Sequence, residues 1–264
     1  MSALLLAAVL ASATSYRTGD AAIDALAGLV AETLEANRKA FAASAGRVSG
    51  FGAGTAYPQV WIRDSATLLP STRWRYDRAH LVSWLEEHLA HQKADGSLND
   101  WVAAGDLPQF VTYAPRARVV HRRPGMILSA DRNTSSADQE TSAVDAARTA
   151  FAATGDRAWL GKPIAGRSVL DRLDAALAFV VDNRMADGLV TAAFTADWGD
   201  VSPAHGDQRV IYLDDETPVV AGLYASALFV RAARALADLH DAGGRGPRAA
   251  PWRAPAGQTS AAIG

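Results

Sequence analysis

Apolar positions recur at helical spacing along most of the chain. Starting from Asp20, the residues Ile23, Leu26, Val30, Leu34, Asn37 and Phe41 fall on one face. Asp77 is placed to cap a helix whose Leu81, Trp84, Leu85, His88 and Leu89 repeat at i, i+3, i+4, i+7 and i+8. Glu140, Val144, Ala147 and Phe151 form a third stripe, stopped at Gly155, and Leu170, Leu173, Leu177, Val180 and Val181 form a fourth. A fifth runs from about Asp214 through Val220, Leu223, Tyr224, Ala227 and Leu228 to Leu239, with Gly243 and Gly244 as its stop. Ser65–Leu69 and Arg157–Leu160 are shorter helical candidates. Alternation of the strand kind is sparse: only "FVTYAPRARVV", around the turn-prone Ala114-Pro115, predicts a small hairpin.

Between these stripes the links are uneven. Residues 94–134 carry no helical period, and "TAAFTADWGDVSPAHGDQRVIYLDD" is a second long connection. Long aperiodic links inside a compact domain are uncommon and often functional. Short links on one side and long, aromatic-rich links on the other predict stacked helical hairpins with the long links gathered at one end. The expected organisation is a flexible or weakly signal-like segment at 1–19, a helical domain at 20–242 and a disordered tail at 243–264. The tail, "GGRGPRAAPWRAPAGQTSAAIG", is rich in Pro, Gly, Ala and Arg and has no period. The opening "MSALLLAAVLASATS" has the small-x-small pattern of a secretory signal but no basic residues ahead of its apolar run. A frayed first helix is the competing reading, so localisation is open between cytoplasmic and secreted.

Composition narrows the function classes. The net charge of −2 leaves no electrostatic footprint for nucleic acid, and no apolar run is long enough to span a bilayer. Without cysteine there are no disulfides and no thiolate metal sites. His80, His88, His91, His121, His205 and His240 show no ligand spacing coupled to carboxylates, and no cofactor motif is present. The basic run Arg116–Arg123 reads as a solvated loop. Seven tryptophans are many for 264 residues; some belong to the core, and others are flat platforms on which a ligand face can stack.

Polar and aromatic residues cluster at particular points. "YPQVWIRDS" sets Tyr57 and Trp61 beside Arg63, a planar fork of donors, and Asp64, an acceptor. That combination suits a sugar ring with its apolar face and hydroxyl rim; an internal Arg–Asp pair at a helix start is the alternative. In "TADWGDVSP", Trp198 is placed to exclude water and hold up the pKa of Asp200, as a proton donor to a glycosidic oxygen requires. A turn built on Asp197, Gly199 and Asp200 is the plainer reading. Asp138 and Glu140 open a helix, where acidic residues cap it and favour its dipole, or face a hydroxyl-bearing ligand. In "ADGSLNDW", Asn99, Asp100 and Trp101 follow a helix stop at Asp95-Gly96.

In order, "QVWIRD", "DGSLNDW", "TSSADQETSAVDAARTAFAATGDRAWL", "DWGDVSP" and "DETPVVAGLYASALFVRAARALADL" resemble the six-hairpin (α/α)6-barrel glycosidases, over about Asp20 to Leu239. That superfamily includes glucoamylases, trehalases, neutral invertases and debranching glucosidases. The resemblance implies an all-α fold, an incomplete (α/α)6 toroid, and hydrolysis of a terminal α-glucosidic bond with inversion. It implies Asp200 as general acid and Tyr57, Trp61, Arg63, Asp64, Trp101, Glu140 and Trp198 as substrate contacts, with an oligosaccharide or glucoside substrate. Two departures stand out. Where relatives carry a Glu after the acid, this chain reads Pro218-Val219-Val220. It also has fewer helical stripes than a closed toroid needs, and no residue matches the water-activating base. The chain therefore reads as the N-terminal part of a longer enzyme, or as a catalytically inactive carbohydrate-binding remnant. An epimerase or lyase on a toroid would need a histidine pair or a Tyr–Arg constellation, which the sequence does not clearly carry.

Overall fold

The computed structural model describes residues 17–43, 46–105, 119–123, 126–131, 136–193 and 218–264. Its helices are α1 (Ala21–Asn37), α2 (Ile62–Thr72), α3 (Arg78–Ala90), α4 (Gln139–Thr154), α5 (Arg157–Gly161), α6 (Val169–Arg184), α7 (Leu223–Ala242) and α8 (Ala250–Ile263). The strands are β1 (Arg38–Ala43), β2 (Gly46–Phe51), β3 (Val60–Trp61), β4 (Trp101–Ala104), β5 (Val119–Arg123), β6 (Met126–Asp131), β7 (Pro163–Ile164), β8 (Arg167–Ser168), β9 (Met185–Ala186), β10 (Leu189–Ala193) and β11 (Val219–Ala221).

The helix starts follow local chemistry. Asp20, Asp77, Asp156 and Ser168 each accept a backbone N–H from the first turn they precede. Gly155 closes α4 in the left-handed conformation at φ 64°, where a Cβ would be strained. Around α4 sit α2, α3, α6 and α7, and α7 carries α8 against it. Val144, Leu85, Leu173, Leu177, Phe229 and Leu236 belong to the one large apolar cluster, with Trp84 and Trp159 fully buried in it.

The all-α expectation is overturned. Among the described residues, the segments between helices pair into four small antiparallel sheets, ordered β1-β2, β3-β4-β6-β5, β7-β8 and β9-β10-β11. The two- and three-residue strands are too short to show a period of two, and in β1 burial alternates along Arg38–Ala43 without a matching alternation of polar and apolar residues, so hydropathy did not reveal them. The small hairpin lies at β5-β6, pairing Val119 with Ala130, whereas the expected 110–120 segment falls mostly outside the described residues. Phe41 sits in β1 and not on the first helix. The last long helix begins only at Leu223, because Val219–Ala221 pairs with β10 and Gly222 is the N-cap.

The tail is also corrected. Ala250–Ile263 is helical, buries Ala256 and Thr259, and packs on α7. Pro251 stands in its first turn, where no N–H is needed. Trp252 Nε1 donates to Asp174 Oδ1 at 2.7 Å, and Arg248 pairs with Asp174 at 2.9 Å. Among the described residues no helix is long and apolar enough to cross a membrane.

Candidate functional site

The N-terminal ends of α2 and α4, the strand pair β3-β4 and the first turn of α7 meet at one place. Trp61 opposes Trp101 across β3-β4, which sets their rings 6.4 Å apart. Tyr57 meets Trp61 edge-on at 6.5 Å. Ile62 N donates to Asp100 O at 2.8 Å, so α2 starts directly against the Ser97–Trp101 segment.

That segment is built by a tight turn. Asp95 Oδ1 accepts from Ser97 N at 2.9 Å and from Ser97 Oγ at 2.7 Å. Gly96 takes φ +94°, and a Cβ there would come within 2.1 Å of Ala175 O; only glycine fits. The chain then enters the interior, where Leu98 N donates to Glu140 Oε1 at 2.8 Å. Gln139 Nε2 donates to Asp100 Oδ1 at 2.5 Å. The start of α4 thereby holds the Leu98–Asp100 backbone and side chains in place.

Arg63 is 4% exposed and Asp138 2%, and Arg63 Nε lies 3.7 Å from Asp138 Oδ1. Burial of a guanidinium requires such a partner. Tyr224 OH donates to Asp138 Oδ2 at 3.4 Å, tying α7 to the pair. Asp138 makes no side-chain cap bond to α4; its carboxylate is turned to Arg63 and Tyr224 instead. The sequence offered Asp138 as a cap or as a contact to a hydroxyl-bearing ligand, and not as the partner of Arg63. Its signal was the "ADQE" context, in which either carboxylate could have been the cap.

The expected contact residues are thus brought together in part. Tyr57, Trp61, Arg63, Trp101 and Glu140 share one neighbourhood, and Asp64 lies in the first turn of α2. Trp101 and Glu140 are wholly buried, so they form its wall and foundation and not an open rim. Trp198 and Asp200 lie outside the described residues. Trp61 Nε1, Gln59 Oε1 and Asn99 Oδ1 are buried polar atoms with no hydrogen-bond partner among the described residues, which marks the region as polar beyond its own needs.

Two histidines of α3 are buried, His88 beside Asp100 of the site and His80 against Tyr76 near the other end of α2. His88 is fully enclosed in α3, its Nδ1 2.9 Å from Trp84 O. Burial lowers its pKa from 6.5 to about 4. His80, stacked on Tyr76 and 2.8 Å from Ser49 Oγ, is likewise lowered to about 4, mainly by burial. Both are neutral core residues near pH 7. Among the described residues no group of His, Cys, Asp and Glu has the arrangement to hold a metal ion. No protein-family model matches the chain, and no curated protein matches it either.

Proposed function

We propose that the chain is a glycoside hydrolase-like protein of carbohydrate metabolism, acting on a terminal α-glucosidic bond with inversion. The observation that carries this reading is the meeting of three sequence-distant segments, 57–64, 97–101 and 136–140, around paired tryptophans and a buried arginine. Tyr57 and Trp61 supply the apolar face for a pyranose ring, and Asp64 is the acceptor for its hydroxyls. Asp138 orients Arg63 as the donor. Asp200 is assigned the proton transfer to the departing glycosidic oxygen, with Trp198 excluding water from it. A second carboxylate takes a proton from the water that attacks the anomeric carbon from the opposite face.

The test is glucose release from a panel of α-glucosides by the wild type and by Asp200→Asn. Loss of an ionisable acid lowers turnover by about 10²–10⁴-fold, with binding retained. Turnover untouched by Asp200→Asn removes the acid assignment. A second reading, carbohydrate binding without turnover, is favoured by the internal engagement of Arg63 and Glu140. Sugar-dependent quenching of tryptophan fluorescence with no release from any glucoside would select it.

A further inference from the structure

The corner that joins α2 to α3 reads Arg73-Trp74-Arg75-Tyr76-Asp77. Trp74 is 66% exposed, and it alone among the described tryptophans is exposed. Its ring is backed on one side by a guanidinium, Arg73 Cζ lying 4.3 Å from the ring centroid. A cation held over an indole face restrains the ring, so Trp74 stands out from the surface as a fixed plate with most of its area open to water.

Four arginines, Arg38, Arg73, Arg75 and Arg78, stand with three carboxylates, Glu35, Asp77 and Asp156, around the plate. Arg38 lies 3.0 Å from Glu35 and Arg75 3.9 Å from the same carboxylate. Tyr76 OH donates to Glu35 at 2.9 Å. Arg78 pairs with Asp156 at 2.7 Å, and Asp77 caps α3. Arg73 is the cation of this corner with no carboxylate partner among the described residues, and it lies against Trp74; its Nε is buried without a hydrogen-bond partner. A nucleic acid is gripped through several cations free to neutralise phosphates, whereas three of these four arginines are engaged by carboxylates. A membrane surface needs several apolar anchors, and Trp74 is the one large apolar side chain exposed between residues 62 and 90. The exposed Ile23, Leu26, Leu29 and Val30 lie toward the other end of α1 from Glu35, the residue of that helix that meets this corner. What remains complementary is a neutral molecule with one flat apolar face and hydroxyls at its edge.

We propose that Trp74, backed by Arg73, is a saccharide-binding platform that takes the pyranose face of a glucan chain. It stands at the opposite end of α2 from Arg63, about 15 Å away along the helix, and is separate from the convergent cluster. The choice of a glucan as ligand rests on the function proposed above; the platform rests on the geometry of the corner.

The full chain is sedimented with insoluble amylose and with insoluble cellulose, alongside Trp74→Ala, Trp74→Phe, Tyr57→Ala and Asp200→Asn. The wild type is expected to be retained by at least one polysaccharide. Trp74→Ala should lower retention at least tenfold with an unchanged thermal midpoint, and Trp74→Phe should keep most of it. Tyr57→Ala removes part of the ring-facing wall of the convergent cluster and should lower retention less than Trp74→Ala does, while Asp200→Asn, which keeps binding, should be retained like the wild type. Retention by neither polysaccharide, retention unchanged in Trp74→Ala, or retention lost in Tyr57→Ala but kept in Trp74→Ala overturns the platform. So does wild-type binding to a single-stranded oligodeoxynucleotide with none to polysaccharide. Retention lost in Trp74→Ala from a chain that releases no glucose keeps the platform and overturns only the hydrolase reading.

Discussion

Helices α1 and α4 have similar lengths and similar periodic stripes, yet their fates differ. Ile23, Leu26, Leu29 and Val30 of α1 are all exposed, and the helix buries no residue. In α4 the smaller Ala143, Val144, Ala146, Ala147 and Ala150 are all buried. The bulkier stripe is therefore the unburied one. What separates them is the presence of facing elements: α2, α3, α6 and α7 surround α4, and its alanines let those neighbours approach closely. Among the described residues, α1 is tied to the body at its C-terminal end, where Glu35 takes Tyr76 and Arg75 and Asn37 O accepts from Gly52 N at 3.0 Å. Period reports which face of a helix can be buried, and only the surrounding fold says whether it is.

The comparison can be broken most directly by placing a charge on each stripe. Val144→Asp buries a carboxylate without a partner and is expected to cost more than about 4 kcal/mol or to prevent folding, read by urea denaturation. Acidification comes next, and it acts on α3 next to α4. His80 and His88 have folded-state pKa values of about 4 against an unfolded value near 6.5. Between these limits the unfolded chain binds protons that the folded chain does not. Stability therefore falls as pH drops from about 6.5 to about 4, by on the order of a few kcal/mol for the pair. Denaturation at pH 7 and pH 4.5 measures this. His80→Phe should flatten the profile, and an unchanged slope would refute the assignment.

Smaller effects sharpen the contrast. Glu140→Ala leaves Leu98 N–H without its acceptor at the head of α4 and should cost about 1–3 kcal/mol. Glu140→Gln, which keeps an oxygen there, should cost less. Trp252→Phe removes the bond to Asp174 that holds α8, a loss of about 1 kcal/mol in the same assay. Leu26→Asp on α1 should change stability by no more than about 0.5 kcal/mol. A loss comparable to that of Val144→Asp would show that the α1 face is covered in solution.

Parts of this architecture were legible beforehand. Leu81, Trp84, Leu85, His88 and Leu89 were placed on one face and are all buried; Asp77 and Gly155 bound their helices as their chemistry requires. The strands were not legible, because two- and three-residue pairings such as Val60–Trp61 with Trp101–Val102 leave no periodic trace. The tail misled through its composition: Pro, Gly and Ala suggest disorder, but contacts from Trp252 and Arg248 to Asp174 hold the segment as a helix. At the site, Arg63 and Glu140 were picked out for their chemistry and for the resemblance of the motifs around them. That Arg63 is matched by Asp138, and Glu140 by the amide of Leu98, depends on pairings between residues 75 and 42 positions apart.

Local sequence determined the capped starts of α1, α3, α5 and α6, the stop of α4 at Gly155 and which face of a periodic helix is apolar, since caps, glycines and i, i+3, i+4 spacing act within a few residues. The tertiary structure alone decided which stripes are covered, which carboxylate faces Arg63 and that Trp61 lies against Trp101. Burial and ion pairing depend on distance in space, and the residues that set those distances come from segments that no local pattern connects.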